Sequence, residues 1–444
     1  MTRLLDMDGP KPWWLVPRSG IALGLSFAFL ALLPFSALYN VPLLVLCGLG
    51  FLGLASRRQE ALGDAGLRLL LVLFLCVWLP MAISAVDAVN PVQSWRKVVS
   101  FPVFFLAGAY LVMALRSMID MQHLLIGVLV LCTFWSIDAS WQFVHGFNLL
   151  GFPYQGGRLS GIFHPDLKLG IVLATVSPFV FEAVRRLAVR SVWVVLTLLP
   201  FFAVIALSGS RSSWIVVFVV LGCYGWYLLR WVEEPMARGR AILRVAAVGV
   251  LGCGVLVYAF PQTANQAHAL IVKRAAPLAD LASSDRRTTD IALVARLTAW
   301  ESAGRIFRAH WINGVGPRGF RDVHPEYAPA HDPYVKRGQT LTFPHLLVLE
   351  IAVETGLVGL LGYLVALAVM VRTLRSMGRA QLALGFPYGL AIFVVLFPFA
   401  THQAFYAHFM GSIIWWTIAV SAAGLGAVVR SEHRADDESP SGTG

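Results

Sequence analysis

The chain has 444 residues, 58% of them hydrophobic and only 13% charged. An ordinary soluble domain is about a quarter charged, and a soluble core this apolar would leave too much hydrocarbon facing water, so that class is excluded. The net charge of +11 would suggest nucleic-acid or acidic partners in a soluble protein. In a multi-span helical membrane protein it reflects the Lys and Arg that cytoplasmic loops collect.

Residues 1–20 contain no apolar stretch followed by small residues, so no cleavable leader is expected. Apolar runs predict about twelve spans, near residues 19–37, 41–55, 67–85, 97–115, 122–143, 167–184, 191–207, 213–230, 241–260, 344–371, 385–401 and 405–428. The tenth is long enough to tilt or to project from the bilayer. Cys47, Cys76, Cys132, Cys223 and Cys253 all fall inside predicted spans. They read as small apolar residues rather than disulfide or zinc ligands.

One set of short loops carries most of the basic residues, among them Arg57, Arg58, Arg116, Arg185, Arg186, Arg230, Arg372, Arg375 and Arg430. The opposite short loops hold Arg96, Lys97, Arg158, Lys168 and Arg211. This bias predicts both termini in the cytoplasm and the long loop 261–343 in the periplasm. The organisation expected is a first membrane part over 1–260, the loop over 261–343, a second membrane part over 344–428 and a disordered cytoplasmic tail over 429–444. Within the loop, Ile291, Val294, Leu297, Trp300, Gly304 and Phe307 recur at helical spacing, predicting an amphipathic helix at the membrane interface. The Gly314–Gly319 stretch reads as a helix stop and loop.

Three segments bring polar groups to the translocated face. The first is Gly156–Asp166, with Arg158, Ser160 and His164. Glycines there let a ligand approach the backbone closely. The second is Ser208–Ser212, whose Ser210, Arg211 and Ser212 stand at a helix start. Backbone N–H groups, hydroxyls and a guanidinium at that place suit an anion. Two arginines, Arg158 and Arg211, suit a pyrophosphate better than a single phosphate. The third is Thr342–His345. Pro344 fits a first helical turn, so His345 is expected in the opening turn of the tenth span, where nearby N–H groups favour the neutral imidazole that a general base requires. No metal is expected: the Asp-x-Asp spacing occurs at Asp6 and Asp8, on the cytoplasmic side, and the external loops are basic.

Together these segments resemble the O-antigen ligases and their relatives in the O-antigen polymerase/ligase superfamily. The resemblance rests on Arg-x-Ser-Gly-x-Phe at Arg158–Phe163, on Ser210-Arg211, and on His345 followed by Leu346, nine residues, Gly356, two residues and Gly359. Glu354-Thr355-Gly356-Leu357 matches as well. Leu346 departs from the pattern, which has an amide or hydroxyl there. The resemblance implies an all-α, GT-C-like polytopic glycosyltransferase of the bacterial inner membrane with its active site facing the periplasm. It implies transfer of a glycan from undecaprenyl pyrophosphate to lipid A–core, without cofactor or nucleic acid, in contact with membrane lipid. Its base would be His345, its pyrophosphate ligands Arg211 and Arg158, joined by Arg296. Ser160, His164, Ser210, Ser212, Trp300 and His402 complete the expected substrate contacts. An O-antigen polymerase or a protein O-oligosaccharyltransferase would use the same donor. A lipid-linked glycan transporter would instead need charged residues along its spans, which hold almost none beyond Asp138, Glu350 and Glu354.

Overall fold

The computed structural model describes residues 18–56, 63–155, 157–189, 191–231, 265–272, 291–400 and 404–438. The ninth predicted span, Asp6, Asp8, His402, Cys253 and the extreme C-terminus lie outside them.

Helices α1 (Arg18–Leu32), α2 (Asn40–Ser56), α3 (Ala65–Ser84), α4 (Pro91–Ser100), α5 (Pro102–Ala114) and α6 (Met118–His145) make the first half. Then come α7 (Leu169–Ala188), α8 (Leu198–Leu207) and α9 (Arg211–Trp231). The long loop contributes α10 (Ile291–Ala309) and α11 (Phe320–Tyr327), and the chain closes with α12 (Leu347–Arg375), α13 (Arg379–Val395) and α14 (His408–Glu438). The protein is an all-α, polytopic membrane protein. Among the described residues, six stretches of helix are long and apolar enough to cross a bilayer, with α4 and α5 acting as one, and four shorter apolar helices stand among them.

Two helices form the centre. Every residue of α7 from Leu169 to Val184 is buried. Almost all of the apolar stretch of α14 is buried too, packed by α3, α5, α6, α7 and α13. Small residues allow this closeness. A methyl added at Gly66 would lie 2.4 Å from the Ala422 carbonyl oxygen, and one at Gly362 would lie 2.2 Å from that of Cys76. Without water between helices, such contact and buried polar pairing replace the hydrophobic effect as the cohesive force. Pro80 leaves the Cys76 carbonyl without its helical donor, and Gly362 packs directly on it. Lipid-facing surface is supplied by exposed Leu44, Phe51, Leu52, Val130, Phe218 and Leu364.

The ends of the bundle differ. At one end Arg430 bonds Asp64 and, through Nε, the Arg116 carbonyl at 3.3 Å. Glu182, fully buried, accepts from Arg185 Nε at 2.8 Å, Arg186 Nε at 2.6 Å and Tyr224 Oη at 2.8 Å. The other end gathers the α1–α2 corner, the Phe163–Lys168 segment, and the heads of α12 and α14.

The loop carries a small core of its own. Ala299, Ala303, Ile306, Val315, Phe320, Val323 and Leu341 pack with Val353 of α12. The predicted helix is present as α10, but its buried face is different. Thr298, Ala299, Ser302, Ala303 and Ile306 point inward, whereas Leu297 is exposed and Trp300 and Phe307 are half-buried. Small residues let α10 seat closely on α11 and α12, so the large apolar residues do not mark its inner face. Three further boundaries shift. The fourth span begins at Pro91, placing Arg96 and Lys97 inside helix α4. The tenth begins at Leu347, and α14 continues to Glu438.

Candidate active site

The Arg158 segment is held by the last turns of α6. Gln142, fully buried, accepts from the Ser160 and Gly161 amides at 3.2 and 2.9 Å. Its Nε2 donates to the carbonyls of Phe152 and Pro153, each at 3.2 Å. One turn earlier Asp138 accepts from the Leu149 amide at 3.0 Å and Asn148 Nδ2 at 3.2 Å. Leu159, Ile162 and Phe163 then anchor in the core, Phe163 edge-on to Trp135. A polar segment is thus fastened to a membrane helix by side chains that satisfy its backbone.

This fastening turns Arg158 onto the second segment. Arg158 Nη2 donates to the Gly209 carbonyl at 3.3 Å. Gly209 has φ +76°, and a methyl there would lie 2.7 Å from Arg158 Nε. Glycine therefore supplies both the turn and the room for the guanidinium. Arg158 Nε is buried with no hydrogen-bond partner among the described residues. Burial also pulls the Arg158 guanidinium below its usual pKa. The side chain is a desolvated cation with donor capacity left for an acceptor.

Ser210 and Ser212 are buried and shape the turn. Ser210 Oγ accepts from the Ser213 amide at 3.4 Å and from Ser213 Oγ at 2.8 Å, and shares a 3.0 Å bond with Ser212 Oγ. That is an N-cap for α9. Arg211, half-buried, occupies the first position of the helix. Ser160 is buried under Gln142, and His164 stacks on Phe152 with ring centroids 5.2 Å apart. Arg296 and Trp300 lie half-buried on α10.

His345 does not sit in the opening turn of α12. It precedes the N-cap Leu346 and has φ +54°, its ring 4.1 Å from that of Phe343. Pro344 therefore lies outside the helix. The first two amides of α12 are occupied instead: Leu347 N donates to the Ala400 carbonyl at 3.0 Å and Val348 N to that of Pro398 at 3.4 Å. The Pro398 carbonyl thus serves the Val348 amide, one of the two that an amide or hydroxyl at position 346 could cap, which lessens the cost of Leu346 there. A left-handed conformation at a non-glycine residue in a site is the kind of strain that packing must hold in place.

A third group has partners that the sequence does not reveal. Glu350 and Glu354 are fully buried near the head of α12. Glu350 accepts from the Phe405 and Tyr406 amides at 3.1 and 3.4 Å. Glu354 accepts from the Arg318 amide at 2.6 Å, while its backbone carbonyl takes Ser84 Oγ at 2.7 Å and the Gly316 amide at 3.1 Å. The Gly314–Gly319 stretch, expected as a simple loop, is docked into the membrane part. Gly356 breaks α12 with φ +63°, where a methyl would lie 2.2 Å from the Ile312 carbonyl oxygen. Leu357 N then donates to the Trp311 carbonyl at 2.8 Å. The signal for this joint was the pairing of a glycine-rich turn with two carboxylates in one apolar run. Among the described residues no three His, Cys, Asp or Glu side chains are grouped to hold a metal.

Fold and site define a multi-pass membrane protein with a desolvated basic site at one end of its bundle. Residues 195–364 match the family model described as O-antigen ligase. The match includes Arg211, Arg296, His345 and Gly356, and ends before reaching back to Arg158. No curated protein matches the chain.

Proposed function

We propose that the protein transfers a polysaccharide from undecaprenyl pyrophosphate to lipid A–core oligosaccharide. The observation that carries the reading is Arg158 folded onto the Ser208–Ser212 turn, so that its guanidinium joins the segment bearing Arg211. Arginine forks bind phosphate oxygens bidentately, and their effect is largest where water is excluded. Arg211 and Arg158, with Arg296, hold the pyrophosphate and stabilise it as it leaves. His345 removes the proton from the acceptor hydroxyl. That oxygen forms a bond to the anomeric carbon as the carbon–oxygen bond to the pyrophosphate breaks. The sugar inverts, and undecaprenyl pyrophosphate departs. Orientation, a base and charge stabilisation suffice for such a displacement.

The chain then lies in a bacterial inner membrane with both termini cytoplasmic and the site facing the periplasm. In support, Arg116 and Arg430 share one end of the bundle, opposite Phe163–Lys168. A transporter reading, already short of charged residues within the spans, gains nothing from Asp138, Glu350 and Glu354, which are engaged with backbone amides.

The test is complementation of a ligase-null strain, read by lipopolysaccharide gels. Wild type restores full decoration and His345→Ala, expressed equally, restores none. Full decoration by the alanine variant removes the base assignment. Loss of chain length with single-unit caps retained in a strain lacking this protein would make it a polymerase. Arg211→Lys is expected to lower transfer by about 10²-fold, as for removal of one transition-state donor.

A further inference from the structure

We infer that the cleft between the Leu33–Asn40 corner, the Phe163–Lys168 segment and the head of α14 is a subsite for one sugar ring of the transferred glycan or of its acceptor. The inference rests on the glycosyl-transfer reading above and adds a place where a saccharide is gripped.

The cleft has a volume of about 330 Å³, within the range of small-ligand sites. Its lining combines a hydroxyl from Ser36, the phenol of Tyr39, the amide of Asn40, the carboxylate of Asp166, the ammonium of Lys168 and the imidazole of His408. Phe163 and Phe409 add aromatic surface. That mixture matches a polyhydroxylated ring, which needs donors and acceptors around its edge and an apolar face beneath. A lipid tail would require an apolar lining. A free phosphate would require excess positive charge, but here Lys168 is paired with Asp166.

The groups are held rather than loose. His408 Nε2 and Asn40 Oδ1 are 2.6 Å apart, and Tyr39 stacks on His408 with centroids 5.9 Å apart. Lys168 Nζ lies 4.2 Å from the centre of the Phe409 ring. Ser36 has φ +47°, a conformation uncommon outside glycine, at the lip of the cleft. Phe163, Asp166 and Lys168 of the cleft follow Arg158 within ten residues of the same chain segment. Both candidate occupants, the donor glycan and the acceptor core, present the same chemistry there.

Asp166→Asn and Lys168→Gln change groups at the rim, whose side chains are 59% and 37% exposed, and so leave folding intact. Asn40→Ala probes the interior. Purified full-length protein in lipid nanodiscs is examined by saturation-transfer NMR with two probes: core oligosaccharide freed of lipid, and free O-antigen repeat oligosaccharide. One probe is expected to bind wild type and His345→Ala alike, and to weaken about tenfold in Asn40→Ala and Lys168→Gln, as for loss of one or two hydrogen bonds. The probe that responds identifies the source of the sugar. In transfer assays the KM for that substrate should rise with kcat changed less than twofold. Binding of neither probe to wild type, or equal binding by all three cleft variants, overturns the subsite. Cleft-dependent binding in a protein that transfers nothing supports the subsite and rejects the transfer reading.

Discussion

Arg158 and Gly209 show how one residue's chemistry depends on another's absence of a side chain. Gly209→Ala adds a methyl 2.7 Å from Arg158 Nε on a backbone at φ +76°. It is expected to displace Arg158 and to reduce transfer as far as Arg158→Ala does, while lowering stability by about 1–2 kcal/mol. Retention of wild-type transfer by Gly209→Ala would show that the guanidinium is not needed where the structure has it. Gly356→Ala addresses the joint instead. With φ +63° and the Ile312 carbonyl in its way, it should lower thermal stability in detergent by about 2–3 kcal/mol. Arg158 and Arg211 stand out in the sequence because charge on the wrong side of a span is conspicuous, and His345 because it follows a proline at a predicted span start. Glu350 and Glu354 were noticed only as two of the few charges within the predicted spans, too few for a transport path. Their partners are backbone amides remote in sequence, and no local pattern announces those. The same holds for the start of α12 beside His345, where the Leu347 and Val348 amides bond the distant carbonyls of Ala400 and Pro398.

Hydropathy located the membrane elements well, because length and apolarity are what a bilayer selects. It could not find which face of α10 packs, since Ala299, Ser302 and Ala303 bury by being small. In α7 the buried Glu182 has two arginine partners and a tyrosine. Glu182→Gln leaves those cations short of a counter-charge and is expected to cost about 3–5 kcal/mol, seen as a collapse of monodisperse yield and melting temperature. Unchanged melting would mean that the guanidiniums reach water or lipid phosphate instead. Loop helix α11 carries His324, fully buried 3.8 Å from Asp332. Burial holds the His324 imidazole below its usual 6.5. Burial also works to raise Asp332, but amides of Val335 and Tyr334, Thr298 and His324 outweigh it, leaving it below 3.8. Both groups bind protons more weakly folded than unfolded, so acid destabilises. His324 acts first, as pH falls below about 6.5, and Asp332 only below about 3.8. Hydrogen-exchange protection at residues 320–327, measured relative to the intrinsic rate at each pH, should therefore fall between pH 7 and pH 5. A rise in that protection would mean that a His324–Asp332 ion pair forms and stabilises the loop.

At the scale of the molecule, the basic residues at one end and the polar segments at the other give the bundle a direction. Cysteine substitution tests it: in intact cells a membrane-impermeant maleimide should label Asp166→Cys at once, and Ser376→Cys only after permeabilisation. The reverse order would invert the chain and move the site to the cytoplasm. The sequence conveyed the all-helical, polytopic class but not the arrangement of the helices, for hydropathy measures each helix against lipid and not against its neighbours. The position of α14 could not be anticipated: it follows all the other described helices in the chain yet lies among α3, α5, α6, α7 and α13. This has a consequence for how the protein is made. The ribosome delivers the keystone after the arch, so the earlier helices must wait in the membrane around an unfilled slot. Until α14 enters, Gly66 and its neighbours face either lipid or a chaperone, and quality-control proteases meet the nascent bundle in that state.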